Sequence, residues 1–495
     1  MRSSPPSSLR KQALEGGIYL TVRRSVGLAL GLVGLLFLTR IVGPSAYGIY
    51  NSALGLLSYL LALGQMGINV YLIRSQEAES HRLFHLAFWW LSLIGCTLAL
   101  IIVGFAAIGG HVWVKDGEFT RVMLSLSLSI PFLMVSVVPQ AYLERDLDYK
   151  KVTTVEIASQ ICYYLVAIPL AWLGLGVWAL VSGFWASQVM LVGGFWLAAR
   201  YRPAWYWNPS LLKDMLHYSF GQALAGWLYY LRDVAPSIVL LPLSGKEAVG
   251  YYALAMRFVG MLTFVSDAIG RLSVPALARI QHDHSRLLRS VNEGMAIRLL
   301  SICTFFALFT IVSPWILPRM LGSQWDVGIV VWVFLLVAIH AFLVTVAGVM
   351  ASVLHLVRRN RAMIVANVAY ITTFFGVSTL LTWLLPAPYK LYGYASATWI
   401  ANIPNLWIID RNFRLAVGAP NYRLTSLWAV GFVAIMFAPV VGWWLYLVAL
   451  PFFANRISIE AIRMWVRQIR ELRRAQPKQD DSPAERMPSE RSDML

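Results

Sequence analysis

The 495-residue sequence has little charge. Asp, Glu, Lys and Arg make up 13% of it, about half the fraction usual in soluble globular chains. Acids are the scarcer sign, 24 against 41 Lys and Arg, which leaves a formal net charge of +17. A soluble nucleic-acid binder displays such an excess on a solvated, charge-rich surface. This chain lacks the polar residues to build one, so nucleic acid is excluded as a partner. Cysteine is scarce as well. Cys96, Cys162 and Cys303 each lie in an apolar run, which excludes a disulfide framework and a cysteine zinc site. No G-x-x-x-x-G-K-[ST] phosphate loop occurs, so direct ATP coupling is unsupported. The first apolar run, from about Gly17 to Ile41, is too long for a signal-peptide core and lacks a small-residue cleavage pattern after it. What remains is 58% hydrophobic, with 20 Trp, 22 Tyr and 23 Phe. The expected solvent is lipid.

A spanning helix takes about 20 mostly apolar residues. Fourteen such segments can be placed: 17–40, 47–68, 83–108, 121–143, 152–173, 176–199, 216–242, 249–275, 294–317, 327–354, 362–385, 391–410, 425–440 and 441–455. The last two divide one apolar stretch, with Pro439 and Gly442 suited to a turn between them. The fold class is therefore an all-α polytopic membrane protein. With the N-terminus inside, 31 of the 41 basic residues fall in inner segments and six in outer loops, the bias expected of cytoplasmic loops. Arg232, Arg257, Arg271 and Arg298 lie within spans. The expected organisation is a cytoplasmic N-terminus (1–16), an N-lobe of spans 1–6 (17–199), an inter-lobe linker (200–215) and a C-lobe of spans 7–12 (216–410). A loop with spans 13 and 14 (411–455), a basic amphipathic helix (456–475) and a disordered tail (476–495) follow. In that helix Ile462, Trp465, Val466, Ile469 and Leu472 alternate with five arginines at helical spacing, a pattern for an anionic inner leaflet. A solvated charged helix is the alternative.

The chain repeats itself. Gly43-Pro-Ser-Ala-Tyr-Gly48-Ile-Tyr50 and Gly245-Lys-Glu-Ala-Val-Gly250-Tyr-Tyr252 both read G-x-x-A-x-G-x-Y, at an offset of 202. Arg74-Ser-Gln76 and Arg279-Ile-Gln281 match one span later. The glycines suit tight turns and the tyrosines an outer interfacial anchor. Six spans separate the copies, so both halves enter the membrane alike, as parallel repeats related by an axis along its normal. Two six-helix lobes around a central cavity are expected, with the last helix pair added.

The motif from Leu38 through Arg40, Gly43-Pro44 and Tyr47-Gly48 to Tyr50 resembles the first-loop signature of bacterial polysaccharide transporters, within the multidrug/oligosaccharidyl-lipid/polysaccharide exporter superfamily. Pro139-Gln140 through Arg145, Gly174-Leu-Gly176-Val-Trp178, Ser244-Gly245 through Gly250, and Val274-Pro275 through Gln281 fit the same family. The resemblance covers roughly residues 15–415 and is closest to the Wzx-type flippases. It implies movement of undecaprenyl-diphosphate-linked oligosaccharide units across the bacterial inner membrane for polysaccharide, lipopolysaccharide or exopolysaccharide synthesis. A polysaccharide polymerase and assembly proteins would be neighbouring partners. Arg232 beside Asp233 departs from the family pattern, where a small or polar residue often precedes the span-7 acid.

Charge within a membrane is costly and usually faces a cavity or a partner. Arg232 and Arg257 fall at similar depths in the outer half, with Arg40 above them at the end of span 1. Arg24, Arg271 and Arg298 form an inner level. Guanidinium forks match phosphate oxygens in pairs, so two cationic levels would suit a diphosphate headgroup. For the residues near span ends, snorkelling to the headgroups is the rival reading. Asp267 is four residues from Arg271 and can pair with it, and Asp233 can pair with Arg257. Either acid could instead couple transport to protons or sodium; no other cofactor is expected. His340 reads as a packed polar residue. His282-Asp-His284 lacks a third metal ligand. Gly27 and Gly31 form a small-residue stripe for close packing of span 1, and Pro131, Pro139, Pro169, Pro236 and Pro275 are candidate kinks. The alternatives are an integral-membrane glycosyltransferase or polymerase on lipid-linked sugars, or a lipid-II or small-molecule exporter of the same fold. An enzyme would need catalytic groups on a sizeable outer loop, and the longest, near His111 to Thr120, offers only Asp116 and Glu118.

Overall fold

The computed structural model describes residues 26–460, apart from 28–29, 32–33, 36, 75–79 and 109–115, together with residue 463. Helix ends are named inner or outer by the side that the charge asymmetry assigns. Among the described residues all regular structure is helical. The elements are α1 (the described residues within 26–41), α2 (Pro44–Gln65), α3 (Ile68–Arg74), α4 (Ser80–Ile108), α5 (Gly117–Ser127), α6 (Ile130–Arg145), α7 (Tyr149–Trp172), α8 (Val177–Ala199) and α9 (Pro209–Ala235). They continue with α10 (Leu241–Ser244), α11 (Lys246–Leu262), α12 (Phe264–Arg279), α13 (His284–Met320), α14 (Val327–Leu356), α15 (Asn360–Leu384), α16 (Lys390–Ile400), α17 (Asn402–Ala416), α18 (Arg423–Val441) and α19 (Trp444–Phe453).

Helix starts follow local chemistry. Asp116, Asp148, Asn208, Asp283 and Asp326 each accept backbone N–H groups of the helix that follows, satisfying donors left unpaired in the first turn. Breaks within spans have equally local causes. Met66 and Gly67 take positive φ between α2 and α3. Pro131 opens α6 after a break at Leu128–Ser129. Pro236 cannot donate to the carbonyl of Arg232, and the helix loosens there into a π turn over Pro236–Leu240. Pro139 and Pro169 lie inside continuous helices. The sharpest bend, 51° between α11 and α12, needs no proline. Thr263 turns its hydroxyl back onto the Gly260 carbonyl at 3.3 Å, a contact that bends helices.

Nine helices among the described residues are long and apolar enough to cross a membrane, ten when the bent α11–α12 pair counts as one. Helix α9 is not among them, because His217, Ser219, Gln222 and Arg232 run along it. The segment predicted as span 14 forms α19, which has 10 residues and a length of about 15 Å, half the hydrocarbon core. Helix α13 is longer than its predicted span, 37 residues from His284, so its inner end extends into what the sequence reads as loop. Of the predicted amphipathic helix, 456–460 and Arg463 are helical. Its remainder, the tail and residues 1–16 lie outside the described residues.

The two halves repeat one packing scheme. In the first, α7 pairs with α8 and α6 lies against α4 and α8; in the second, α15 pairs with α16 and α17, and α14 lies against α16 and α17. Helices α18 and α19 pack on each other, and α18 rests on α13 and α14. The halves meet along α2, which lies against both α9 and α11. The repeated motif sits at that seam, and its inner glycines serve another purpose than the turn expected of them. Gly48 and Gly250 lie inside α2 and α11, where a Cβ on Gly48 would fall 1.8 Å from the Lys246 carbonyl oxygen and one on Gly250 2.0 Å from that of Pro44. Lys246 is the repeat equivalent of Pro44, so the two contacts are reciprocal. Tyr50 and Tyr252, expected at the interface with lipid, are buried because this crossing turns them inward.

Candidate functional site

A cavity of about 1340 Å³ lies between the halves, beyond the ~300–1,000 Å³ usual for drug-sized ligands. Its N-lobe wall includes Gly27 and Gly31 of α1, Asn51 and Ser58 of α2, and Glu156, Gln160, Tyr163 and Tyr164 of α7. The C-lobe wall includes Arg232 and Asp233 of α9, Tyr252 and Arg257 of α11, His340 of α14 and Tyr370 of α15. The surface is tyrosine-rich and amide-bearing, with both arginines set into it.

Arg257 is exposed within this cavity and reaches from the C-lobe to the N-lobe. A Cβ on Gly31 would lie 3.2 Å from its Nη2, and its guanidinium lies beside the Tyr164 side chain. The Gly27–Gly31 stripe therefore makes room for polar side chains rather than for a neighbouring helix. A Cβ on Gly27 would meet Gln160 at 3.2 Å, and the Gln160 amide donates to the Gly27 carbonyl at 2.9 Å. Arg232 and Asp233 pair with each other, Nε to Oδ1 at 3.5 Å, one turn before the π segment. That pairing replaces the Asp233–Arg257 pair anticipated from sequence. A buried polar cluster backs the wall, in which Asn402 donates to His340 Nδ1 at 2.7 Å and His340 Nδ1 lies 3.0 Å from the Thr398 carbonyl.

The remaining candidates are dispersed. Arg40 is exposed at the outer end of α1, and its carbonyl lies so close to Gly322 that a Cβ there would approach to 2.1 Å. Arg298 is buried behind the cavity wall, its Nε donating to Ser266 Oγ at 3.2 Å and its Nη2 4.0 Å from Asp267 Oδ1. Gly270 and Gly348 hold it on either side, within 3.2 and 3.1 Å of where a Cβ would stand. Arg298 is thus one partner of Asp267; the pairing with Arg271 expected from sequence falls on a side chain outside the described residues. Arg24 and the Arg271 side chain lie outside the described residues. Among the described residues, the candidate arginines brought to one cavity are the outer pair, Arg232 and Arg257.

Glu156, Gln160 and the tyrosines of α7 escaped the sequence reading. Their signal was present, a polar stripe at 156, 159–160 and 163–164 with helical spacing. A single acid four residues into the expected span 152–173 resembles an end residue when counted by depth alone.

The Arg298 geometry makes a prediction. Arg298→Ala would strand Ser266 and leave a void between two glycines, costing about 3 kcal/mol by the scale of large-to-small core substitutions and lost charged hydrogen bonds. The expected result is a Tm several degrees lower in detergent and less folded protein in membranes. An unchanged Tm would contradict this packing role.

Comparison with known proteins adds to this geometry. A family model described as polysaccharide biosynthesis protein matches residues 37–331. The succinoglycan biosynthesis transport protein ExoT of Rhizobium meliloti (strain 1021) is 25% identical over 316 residues, 62% of this chain and 63% of that one. The lipopolysaccharide biosynthesis protein WzxC of Escherichia coli (strain K12) is 21% identical over 325 residues, 64% of this chain and 65% of that one. The matched stretch spans less than two thirds of either relative. Among solved structures, the lipid II flippase MurJ in an inward closed conformation superposes with a TM-score of 0.65 at 14% identity, over 92% of this chain and 99% of that chain. An inward-facing multidrug resistance MATE family transporter of the MOP superfamily gives 0.59 at 13% identity, over 80% and 98%. At such identities the likeness is one of fold, that of polytopic membrane transporters. The all-helical lobes, the motif at their seam and a family match over more than half the sequence agree: the chain belongs to the polysaccharide biosynthesis protein family.

Proposed function

We propose that the protein is a flippase for undecaprenyl-diphosphate-linked oligosaccharides, working by alternating access in a bacterial inner membrane, with both termini cytoplasmic and no catalytic chemistry of its own. One observation carries the reading: a large cavity between repeat-related lobes holds two intramembrane arginines in a wall of tyrosines and amides. The guanidinium groups suit the diphosphate, which is anionic at every physiological pH. Tyrosine faces and amides suit sugar rings, and the polyprenyl chain stays in lipid. The named relatives are transport and biosynthesis proteins of polysaccharide pathways, which supports the substrate class. Asp233 and Glu156, acids facing that cavity, are the sites where protons or sodium would couple, and a polymerase would receive the exported unit.

Deleting the gene tests the proposal. The expected outcome is build-up of a lipid-linked oligosaccharide on the cytoplasmic face and loss of the corresponding surface polysaccharide, both restored by the wild-type gene. Unchanged distribution of lipid-linked sugars in a strain without a second such gene would refute it.

A further inference from the structure

The outer ends of the two lobes are joined by contacts that the cavity does not use. At the centre is the reciprocal crossing of Gly48 on the Lys246 carbonyl and Gly250 on the Pro44 carbonyl. The flanks are related by the same repeat, because Asp116 caps α5 and Asp326 caps α14 in the same way, yet their chemistry differs. On one side the N-lobe's Asp116 uses Oδ1 for its helix cap and offers Oδ2 to the C-lobe's Lys246 at 3.0 Å, with Glu118 Oε2 at 3.7 Å. Burial pushes the Asp116 carboxyl up, but hydrogen bonds from Lys246 and from the Glu118 and Phe119 amides outweigh it and hold the group below its usual range. On the other side the repeat partner of Lys246 is Pro44, which has no charge to offer. There the C-lobe's Trp325, buried at 4% exposure, donates its indole N–H to the Thr39 and Val42 carbonyls at 2.8 and 3.1 Å. Tyr47 and Tyr251, one from each lobe, pack edge-on against the same ring.

We propose that this layer is the outer gate of the cavity, a pseudo-two-fold glycine pivot with two unlike latches, and that it opens from the Lys246 side while the Trp325 side stays closed longest. The inference rests on the alternating-access reading above. Its asymmetry follows from physical chemistry. A part-exposed ion pair in high dielectric is weak and is screened by salt. A buried indole with its N–H satisfied loses both its packing and its hydrogen bonds when pulled into water. The repeated motif, which composition alone presents as a turn, becomes the part on which the lobes pivot.

Site-directed labelling in right-side-out cells tests the proposal. Ser58→Cys, placed in the cavity wall in a chain whose three native cysteines are replaced by serine, is treated from outside with a membrane-impermeant maleimide. Lys246→Glu is expected to raise the labelling rate about fivefold, and the swap Lys246→Glu with Asp116→Lys to bring it back towards the parent. Higher salt should raise the parent's rate and lower that of Lys246→Glu, because it screens the attraction in the first and the repulsion in the second. Trp325→Phe keeps the ring but removes the donor, and is expected to raise the rate more than Lys246→Glu does while retaining the salt response. An unchanged rate in Lys246→Glu, failure of the swap, or a smaller effect of Trp325→Phe at normal membrane levels would overturn the proposal. Labelling reads the gate and gene deletion reads export. Altered labelling with export intact after deletion therefore removes the transport reading and leaves the gate. Lost export with unaltered labelling does the reverse.

Discussion

Arg257→Glu is expected to abolish complementation of a deletion strain while the protein still reaches the membrane at normal level. The side chain is exposed inside the cavity and set beside Tyr164 and the Gly31 surface of the opposite lobe, so the fold does not depend on burying it. On the function proposed above, what depends on it is the charge presented to substrate. A hydrogen bond to a charged group is worth about 1.5–3 kcal/mol, and each 1.4 kcal/mol is about tenfold in affinity. Loss of a bidentate phosphate contact therefore lowers transport about 100-fold, and a carboxylate facing the diphosphate adds repulsion. Arg257→Lys keeps the charge but not the fork and should retain roughly a tenth of the rate. Initial rates of lipid-linked oligosaccharide translocation in everted vesicles, normalised to protein, measure both. Full activity of the glutamate variant would remove Arg257 from the substrate path.

The second large effect concerns a glycine. Gly48→Ala should lose nearly all transport, although alanine is favoured over glycine within a helix by about 1 kcal/mol. The added Cβ would stand 1.8 Å from the Lys246 carbonyl oxygen, far inside any van der Waals contact. The obstacle is backbone, so no rotamer change relieves it, and the outward-closed arrangement becomes inaccessible. Gly250→Ala meets Pro44 in the same way at 2.0 Å and should behave identically, an equivalence expected only if the crossing is a true repeat contact. Gly104→Ala is the control, since nothing lies within 4 Å of its Cβ position; its transport and membrane level should match the wild type. Wild-type transport by Gly48→Ala would show that the lobes never need to meet this closely.

These contrasts show where the sequence was legible. Periodic apolar runs located the helices, because burying backbone hydrogen bonds in lipid leaves few other structures for such segments. The repeat offset paired the two halves, although its motif read as a turn, and depth counting singled out Arg232 and Arg257. The same counting placed Arg298 near a span end, with headgroup contact as the rival reading, and could not show that it turns into the protein, which is a matter of rotation about the helix axis. Gly270, Gly348 and Ser266 form a slot that takes Arg298 into the protein, whereas Gly31 and Tyr164 leave Arg257 facing the cavity. Nor could spacing decide between a turn glycine and a crossing glycine: Gly43 is the extended residue before α2, whereas Gly48 lies inside the helix against the Lys246 backbone.

By itself, then, the sequence determined the solvent, the helical class and the two-fold repeat, because each follows from composition and period along one chain. Which arginines face the cavity, which acid pairs with which cation, and what closes the outer end were decided only by tertiary structure. Those properties depend on the angular setting of helices and on contacts between residues 130 to about 200 positions apart, distances at which local chemistry carries no information.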